Sequence, residues 1–234
     1  DPLWSRGLGD VYKRQGLVHK LGGLPWGLPI AHWPICRECG RAMSFLAQVP
    51  GQSAEANAPD LDIPAGEVLF AFKCEWDSIC SFWESDGGAN AVFSLPRAAL
   101  GDSPTAPPEH AEDGLPELIP ELGIASWRID DDGAPPELEA DFYDYGRHDD
   151  LPDDIAHPHD WATEWRTKYN GVPYWTANGA QGVPPGRLLL QIDNCVPMQD
   201  GGYQEVANFC SDGTAYVFID NAQTPPGYSM LINR

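Results

Sequence analysis

Positive charge is scarce in this chain. Fourteen Lys and Arg stand against thirty-five Asp and Glu, for a net charge of −21. An excess of that size repels phosphate backbones and anionic headgroups, which argues against nucleic acid and membrane surfaces as partners. Long apolar runs are missing as well. No stretch approaches the roughly 18 residues of a spanning helix, no basic start leads into an apolar h-region, and no Asn-x-Ser/Thr acceptor site occurs. The signatures of nucleotide binding and hydrolysis (GxGxxG, GxxxxGK[ST], HExxH, GxSxG) are absent. The run Asp130-Asp131-Asp132-Gly133 lacks the ligand pattern of an EF-hand, so calcium is not expected.

Helical periodicity is thin, whereas 23 Pro and 24 Gly punctuate the chain. That composition favours turns and short strands. The best helical pattern runs from Asp160 to Tyr169, with Asp160 as N-cap, Trp161, Trp165 and Tyr169 at i, i+4 and i+8, and Asn170-Gly171 as the stop. This aromatic stripe reads as a core face. A shorter helical turn is expected over Glu117 to Leu122.

Four cysteines carry the sharpest chemical signal. Cys36 and Cys39 form a CxxC followed by Gly40, and Cys74 and Cys80 come some 35 residues later. A CxxC-Gly turn directs two thiolates at one ion, and a second pair closes a tetrahedral all-thiolate site, so a structural zinc is expected on Cys36, Cys39, Cys74 and Cys80. Gly40 lets the backbone curl so that amides point at the sulfurs. Two alternatives stay open: a decayed site in which only the CxxC pair matters, or Cys74 and Cys80 as small buried hydrophobes. Cys195 and Cys210 read as buried thiols. A CxxC without export signals suits a reducing, cytoplasmic setting. His157-Pro158-His159 reads as a solvent-exposed acidic loop rather than a metal site.

The chain also repeats itself. Lys20-Leu21-Gly22-Gly23-Leu24-Pro25-Trp26 matches Lys168-Tyr169-Asn170-Gly171-Val172-Pro173-Tyr174, Phe45 to Val49 matches Leu188 to Ile192, and Gly66 to Phe72 matches Gly213 to Ile219. Three blocks in one order indicate a duplication. Where the first copy has its CxxC, the second has the Gly-rich turn Asn178 to Gly182. The expected fold is α+β: a mostly antiparallel β-sheet built from two duplicated, unequal copies with few short helices. Residues 16–108 form the first copy and 161–234 the second. Residues 109–160, with seventeen acidic residues against Arg128 and Arg147, form an acidic, partly ordered connector of net charge −15. The stretch DPLWSRGLGDVYKRQ (1–15) fits neither copy and resembles a translated sequencing adaptor.

The strings KLGGLPWG, WPxCxxCGRxMSFLAQV, LLLQID and DGTAYVFID, with Cys80 through Glu84 and Gly88-Ala89-Asn90, resemble the YwqG-like bacterial family of unknown function. A more distant likeness is to programmed cell death protein 2 and its relatives. The resemblance covers most of Gly16 to Asn233 and implies a mostly antiparallel α+β architecture, zinc binding, and binding of client or partner proteins without a catalytic mechanism. The expected function is a non-enzymatic, intracellular protein-binding module, immunity- or chaperone-like, with a basic protein partner. Trp26 and Trp175 are candidate contacts, with core positions equally open to them. The rival reading is an enzyme with a cleft between the copies and Gln48 and Gln191 as matched polar groups. For these two glutamines, strand-end hydrogen bonds to backbone are the alternative.

Overall fold

The computed structural model describes residues 16–52, 58–76, 79–111, 113–176, 182–210 and 212–233. The leader 1–15 and most of the Asn178–Gly182 turn lie outside them. Two antiparallel sheets dominate. The first holds β1 (Lys20–Leu21), β2 (Ser44–Pro50), β3 (Glu67–Lys73), β4 (Asn90–Pro96) and β5 (Leu122–Gly123) in the order β4-β3-β2-β1-β5. The second holds β6 (Lys168–Tyr169), β7 (Arg187–Asp193), β10 (Thr214–Asp220) and β11 (Gly227–Asn233) in the order β11-β10-β7-β6. Between β7 and β10 in sequence, β8 (Cys195–Pro197) and β9 (Tyr203–Glu205) form a separate hairpin. Among the described residues three short α-helices join the sheets: α1 (Glu139–Phe142), α2 (Tyr145–Asp149) and α3 (Asp153–Thr163). The expected α+β, mainly antiparallel architecture is what the chain adopts.

Burial explains the strand composition. β2 is buried along its whole length, and β3 from Val68 onward, as continuous apolar runs covered on both faces must be. The second sheet alternates. Leu190, Ile192, Val217 and Ile219 join the main core with the first sheet, while Leu188, Tyr216, Phe218 and Leu231 face a smaller cluster with Trp175. That smaller cluster is roofed by the helical segment: Tyr143 packs on it, its hydroxyl accepts from the Leu188 amide at 2.8 Å, and the Trp175 indole donates to the Phe142 carbonyl at 2.9 Å. The sheets also meet at their outer strands, where the Asn90 side-chain amide donates to the Met230 carbonyl at 3.2 Å.

The two sheets repeat one local design. Lys20 pairs with Gln48 across β1 and β2, and Lys168 pairs with Gln191 across β6 and β7. Each glutamine is fully buried, accepts from the amide six residues after its lysine (Trp26 at 2.8 Å, Tyr174 at 3.0 Å), and donates to the carbonyl two residues before it (Val18 at 3.0 Å, Arg166 at 2.9 Å). A bulge falls at Leu46 in one sheet and Leu189 in the other. Each lysine ammonium caps a carbonyl four residues on and meets a carboxylate: Glu121 at 2.7 Å for Lys20 and Asp132 at 3.7 Å for Lys168. A Cβ on Gly23 would lie 2.2 Å from the Glu121 carboxylate, and one on Gly171 2.2 Å from that of Asp132, so both turns require glycine for space as well as for positive φ. Opposite the glutamines stand Phe70 and Tyr216. Aligning the blocks on Gly66 and Gly213 is therefore off by one residue in this strand.

Several sequence expectations need correction. The helix expected over Asp160 to Tyr169 lies earlier, at Asp153–Thr163, with Asp153 and Asp154 in its first turn where the helix dipole favours them. It ends because Lys168 and Tyr169 are recruited as β6, so tertiary pairing overrides local propensity. Trp161 and Trp165 are exposed and form no core face, whereas Tyr169 is half-buried. Glu117 to Leu122 forms no helical turn: Pro120 denies it an amide, and Leu122 pairs with Leu21 instead. His157-Pro158-His159 lies within α3 and not on a loop. His159 is fully buried, its Nδ1 2.8 Å from the Asp132 carbonyl and its Nε2 3.2 Å from that of Pro173. The acidic stretch supplies β5 to the first sheet and a helical roof to the second.

Several buried polar atoms lack a hydrogen-bond partner among the described residues, and His19 is the titratable ring that lacks one at both nitrogens. His19 is 1% exposed, walled by the edges of Trp127 and Tyr169 at 5.1 and 5.5 Å, and neither ring nitrogen has a hydrogen-bond partner among the described residues. Burial lowers its pKa to about 4. The unfolded chain therefore binds the proton first as pH falls, so stability present above pH ~6.5 is lost between ~6.5 and 4, by about 3 kcal/mol at the lower end. Chemical denaturation at stepped pH should show His19→Leu flattening that part of the profile. An unchanged profile would remove His19 as its cause. Gln191→Leu should cost about 2–4 kcal/mol by the same assay, because it orphans the Tyr174 amide and the Arg166 carbonyl.

Candidate metal centre

The CxxC turn follows Trp33-Pro34, whose extended backbone excludes helix. Ile35 and Ala42 bridge across the turn, the Cys36 amide donates to the Arg41 carbonyl at 2.8 Å, and the Gly40 amide to the Cys36 carbonyl at 2.9 Å. Gly40 has φ 73° with open space where a Cβ would stand, so conformation rather than crowding selects glycine. Cys74 directly follows β3, and its amide bonds the Ala89 carbonyl at 2.8 Å. Cys80 is drawn in from the next loop: the Ser81 amide donates to the Glu38 carboxylate at 2.7 Å, tying that loop to the knuckle. The Trp76 indole donates to the Ala42 carbonyl at 2.7 Å and lies 5.3 Å beneath the Arg41 guanidinium, itself held by Asp113 at 2.7 Å.

These contacts bring Cys36, Cys39, Cys74 and Cys80 together. Their four sulfurs lie within 4.8 Å of one another, and those of Cys39 and Cys74 are 3.7 Å apart. Four sulfurs about 2.3 Å from a common ion stand about 3.8 Å apart, so the cluster fits one tetrahedral ion. Cys36, Cys74 and Cys80 are buried and Cys39 is half-exposed, which leaves one approach from solvent.

The electrostatics point the same way. Burial pushes the Cys74 thiol up to about 12, with repulsion from Cys36 and Cys39 adding to it, and raises Cys80 further. At Cys39 burial also opposes ionisation, but hydrogen bonds from the Arg41 amide and the neighbouring thiols outweigh it and hold this thiol below its ordinary range. The Trp76 amide bonds the Cys74 sulfur in the same way. Amides aimed at sulfur stabilise thiolates, yet several thiolates in so small a buried space repel each other, and a cation removes that conflict.

Beneath the centre lies a pair that sequence reasoning missed. Lys73 is fully buried, its ammonium 2.7 Å from the Glu75 carboxylate, 3.1 Å from the Cys74 carbonyl and 3.9 Å above the Phe82 ring. Burial pushes Lys73 down and Glu75 up, against the attraction between them. A Lys-Cys-Glu string at a strand end was the available signal, submerged in a chain full of acids.

The remaining candidates separate. Gln48 and Gln191 sit in different sheets and spend their amides on backbone, as their structural alternative had it. Trp175 is core, and Trp26 is half-buried with its backbone bridged to Pro104. Cys195 and Cys210 are half-buried rather than buried. Cys195 lines a cavity of about 360 Å³ with Asn194, Glu205, Asn208, Phe209 and Asp212. Among the described residues the four cysteines are the group of Cys, His and acidic side chains placed to hold a metal. No family model and no curated protein matches this chain.

Mass spectrometry of untagged native protein should find one metal ion per chain. Cys36→Ser should lose it and lower Tm by about 10 °C or more, whereas Cys195→Ser should keep both. Native protein without metal would discard the centre.

Proposed function

We propose that this chain is an intracellular, non-enzymatic protein-binding module whose first copy is stapled by structural zinc on Cys36, Cys39, Cys74 and Cys80. The observation that carries the reading is the four-sulfur cluster. An all-cysteine tetrahedral shell suits zinc and leaves no open position for substrate or water. Bound there, zinc would neutralise the thiolates and tie the CxxC turn to the end of β3 and the loop after it. Function then falls to the surface, which is overwhelmingly acidic, and the reading assigns it a basic protein partner.

The resemblance to the YwqG-like family belongs to this reading and supports a role in interaction, with an immunity- or chaperone-like protein as its concrete form. The paired lysine, glutamine and glycine positions of the two sheets support descent by duplication. The enzymatic alternative rests on Gln48 and Gln191, whose backbone hydrogen bonds leave little for a substrate.

The partner's charge is testable with the full native chain. A fluorescent hexa-arginine peptide should bind, a hexa-glutamate peptide should not, and raising salt from about 50 to 500 mM should weaken binding at least about 10-fold. Equal indifference to both peptides would end the basic-partner reading.

A further inference from the structure

At its C-terminal end α3 leaves two indoles in water. Trp161 is 74% and Trp165 65% exposed, while no other described tryptophan exceeds 37%. Trp161 stacks on His157 one turn back, the ring centres 5.5 Å apart and the planes 24° from parallel. His157 in turn lies 3.9 Å from Asp153. Asp153, His157 and Trp161 thus form a stripe at i, i+4 and i+8 along the outer face, away from the buried Ala156, His159 and Thr163. Beyond Thr163 the chain leaves the helix, and Trp165 takes φ 52°, a conformation that a bulky side chain rarely adopts. Such an outlier persists only where its surroundings impose it, here the pairing of Lys168 and Tyr169 with β7.

The charge around the indoles is predominantly negative. Between His148 and Trp165 stand Asp149, Asp150, Asp153, Asp154, Asp160 and Glu164, with no Lys or Arg. The next cation, Arg166, lies 3.7 Å from Asp130. A second copy of this chain would bring −21 against −21, which opposes self-association. A purely apolar segment would cover the indoles but strand the carboxylates against it. A guanidinium satisfies both demands, because it stacks on an indole face while its fork bonds a carboxylate. We propose that the Trp161–His157 stack, with Trp165 and the flanking carboxylates of Asp153, Asp154 and Glu164, is the docking surface for an arginine-bearing segment of a partner protein, an inference that rests on the basic-partner reading above.

The test uses the hexa-arginine peptide with the full chain, read by anisotropy and by quenching of tryptophan emission. Trp161→Ala/Trp165→Ala removes two exposed rings, and metal content and melting check that the fold is kept. Trp161→Phe/Trp165→Phe restores aromatic faces. The double alanine variant should bind about 10-fold more weakly, and the phenylalanine variant should recover most of that loss. Native-like binding by the alanine variant would overturn this surface while leaving a basic partner in place elsewhere. Failure of native protein to bind the peptide would overturn both. A native dimer that dissociates in the alanine variant would give the surface to a second copy and overturn the proposal.

Discussion

A lysine with little access to solvent, buried at Lys20 and half-buried at Lys168, stands at the head of each sheet and must find a negative charge, and the same acidic segment supplies both. Lys20 and Lys168 each have little solvent to screen them, and an unpaired ammonium at that depth would be costly. Glu121 and Asp132, eleven residues apart within the stretch that joins the two sheets, answer them. Each carboxylate in turn presses on a glycine that has no room for a side chain. What composition suggests is a solvated linker is therefore the clamp of both sheet heads, and the long negative run has an internal use before any external one.

The metal centre obeys the same logic with opposite signs. Thiols that tolerate ionisation one at a time cannot all ionise together in a buried cluster, and a cation held among the four sulfurs would remove that conflict. The buried Lys73–Glu75 pair below it is net neutral and leaves that demand unmet. Among the described residues the second sheet has no counterpart to this cysteine cluster. It gains its cover from aromatic packing instead, with Tyr143, Trp175 and Phe218 joining the helical roof to the sheet.

Much of this was legible in the sequence. The cysteine spacing picks out all four members of the sulfur cluster, because a short knuckle and a second pair on a neighbouring strand end have few ways to lie apart. Strand positions follow from Gly-bounded apolar runs, and the Lys-Gly-Pro block locates equivalent turns in both sheets. What eluded it was non-local. Nothing local distinguishes Glu121 and Asp132 from fifteen other acids in their segment. Trp161, Trp165 and Tyr169 have ideal helical spacing, yet a strand pairing with β7 takes the last of them and strands the other two in solvent. His157-Pro158-His159 looks solvated because it sits in an acidic stretch that reads as a loop, whereas α3 runs through Pro158 with His159 locked among carbonyls.

The place of β5 in the first sheet bears on the order in which this protein can be assembled during synthesis. All four sulfurs have been translated by residue 80, and the strands that frame them by residue 96. A metal ion could be captured there before the acidic segment and the second sheet are made. The other edge of the same sheet waits for Leu122 and Gly123, and β4 meets its neighbour β11 only when the final residues arrive. A chain stalled near residue 100 would thus hold the four cysteines in an open-edged sheet that still lacks the acidic segment along one edge and β11 against the other.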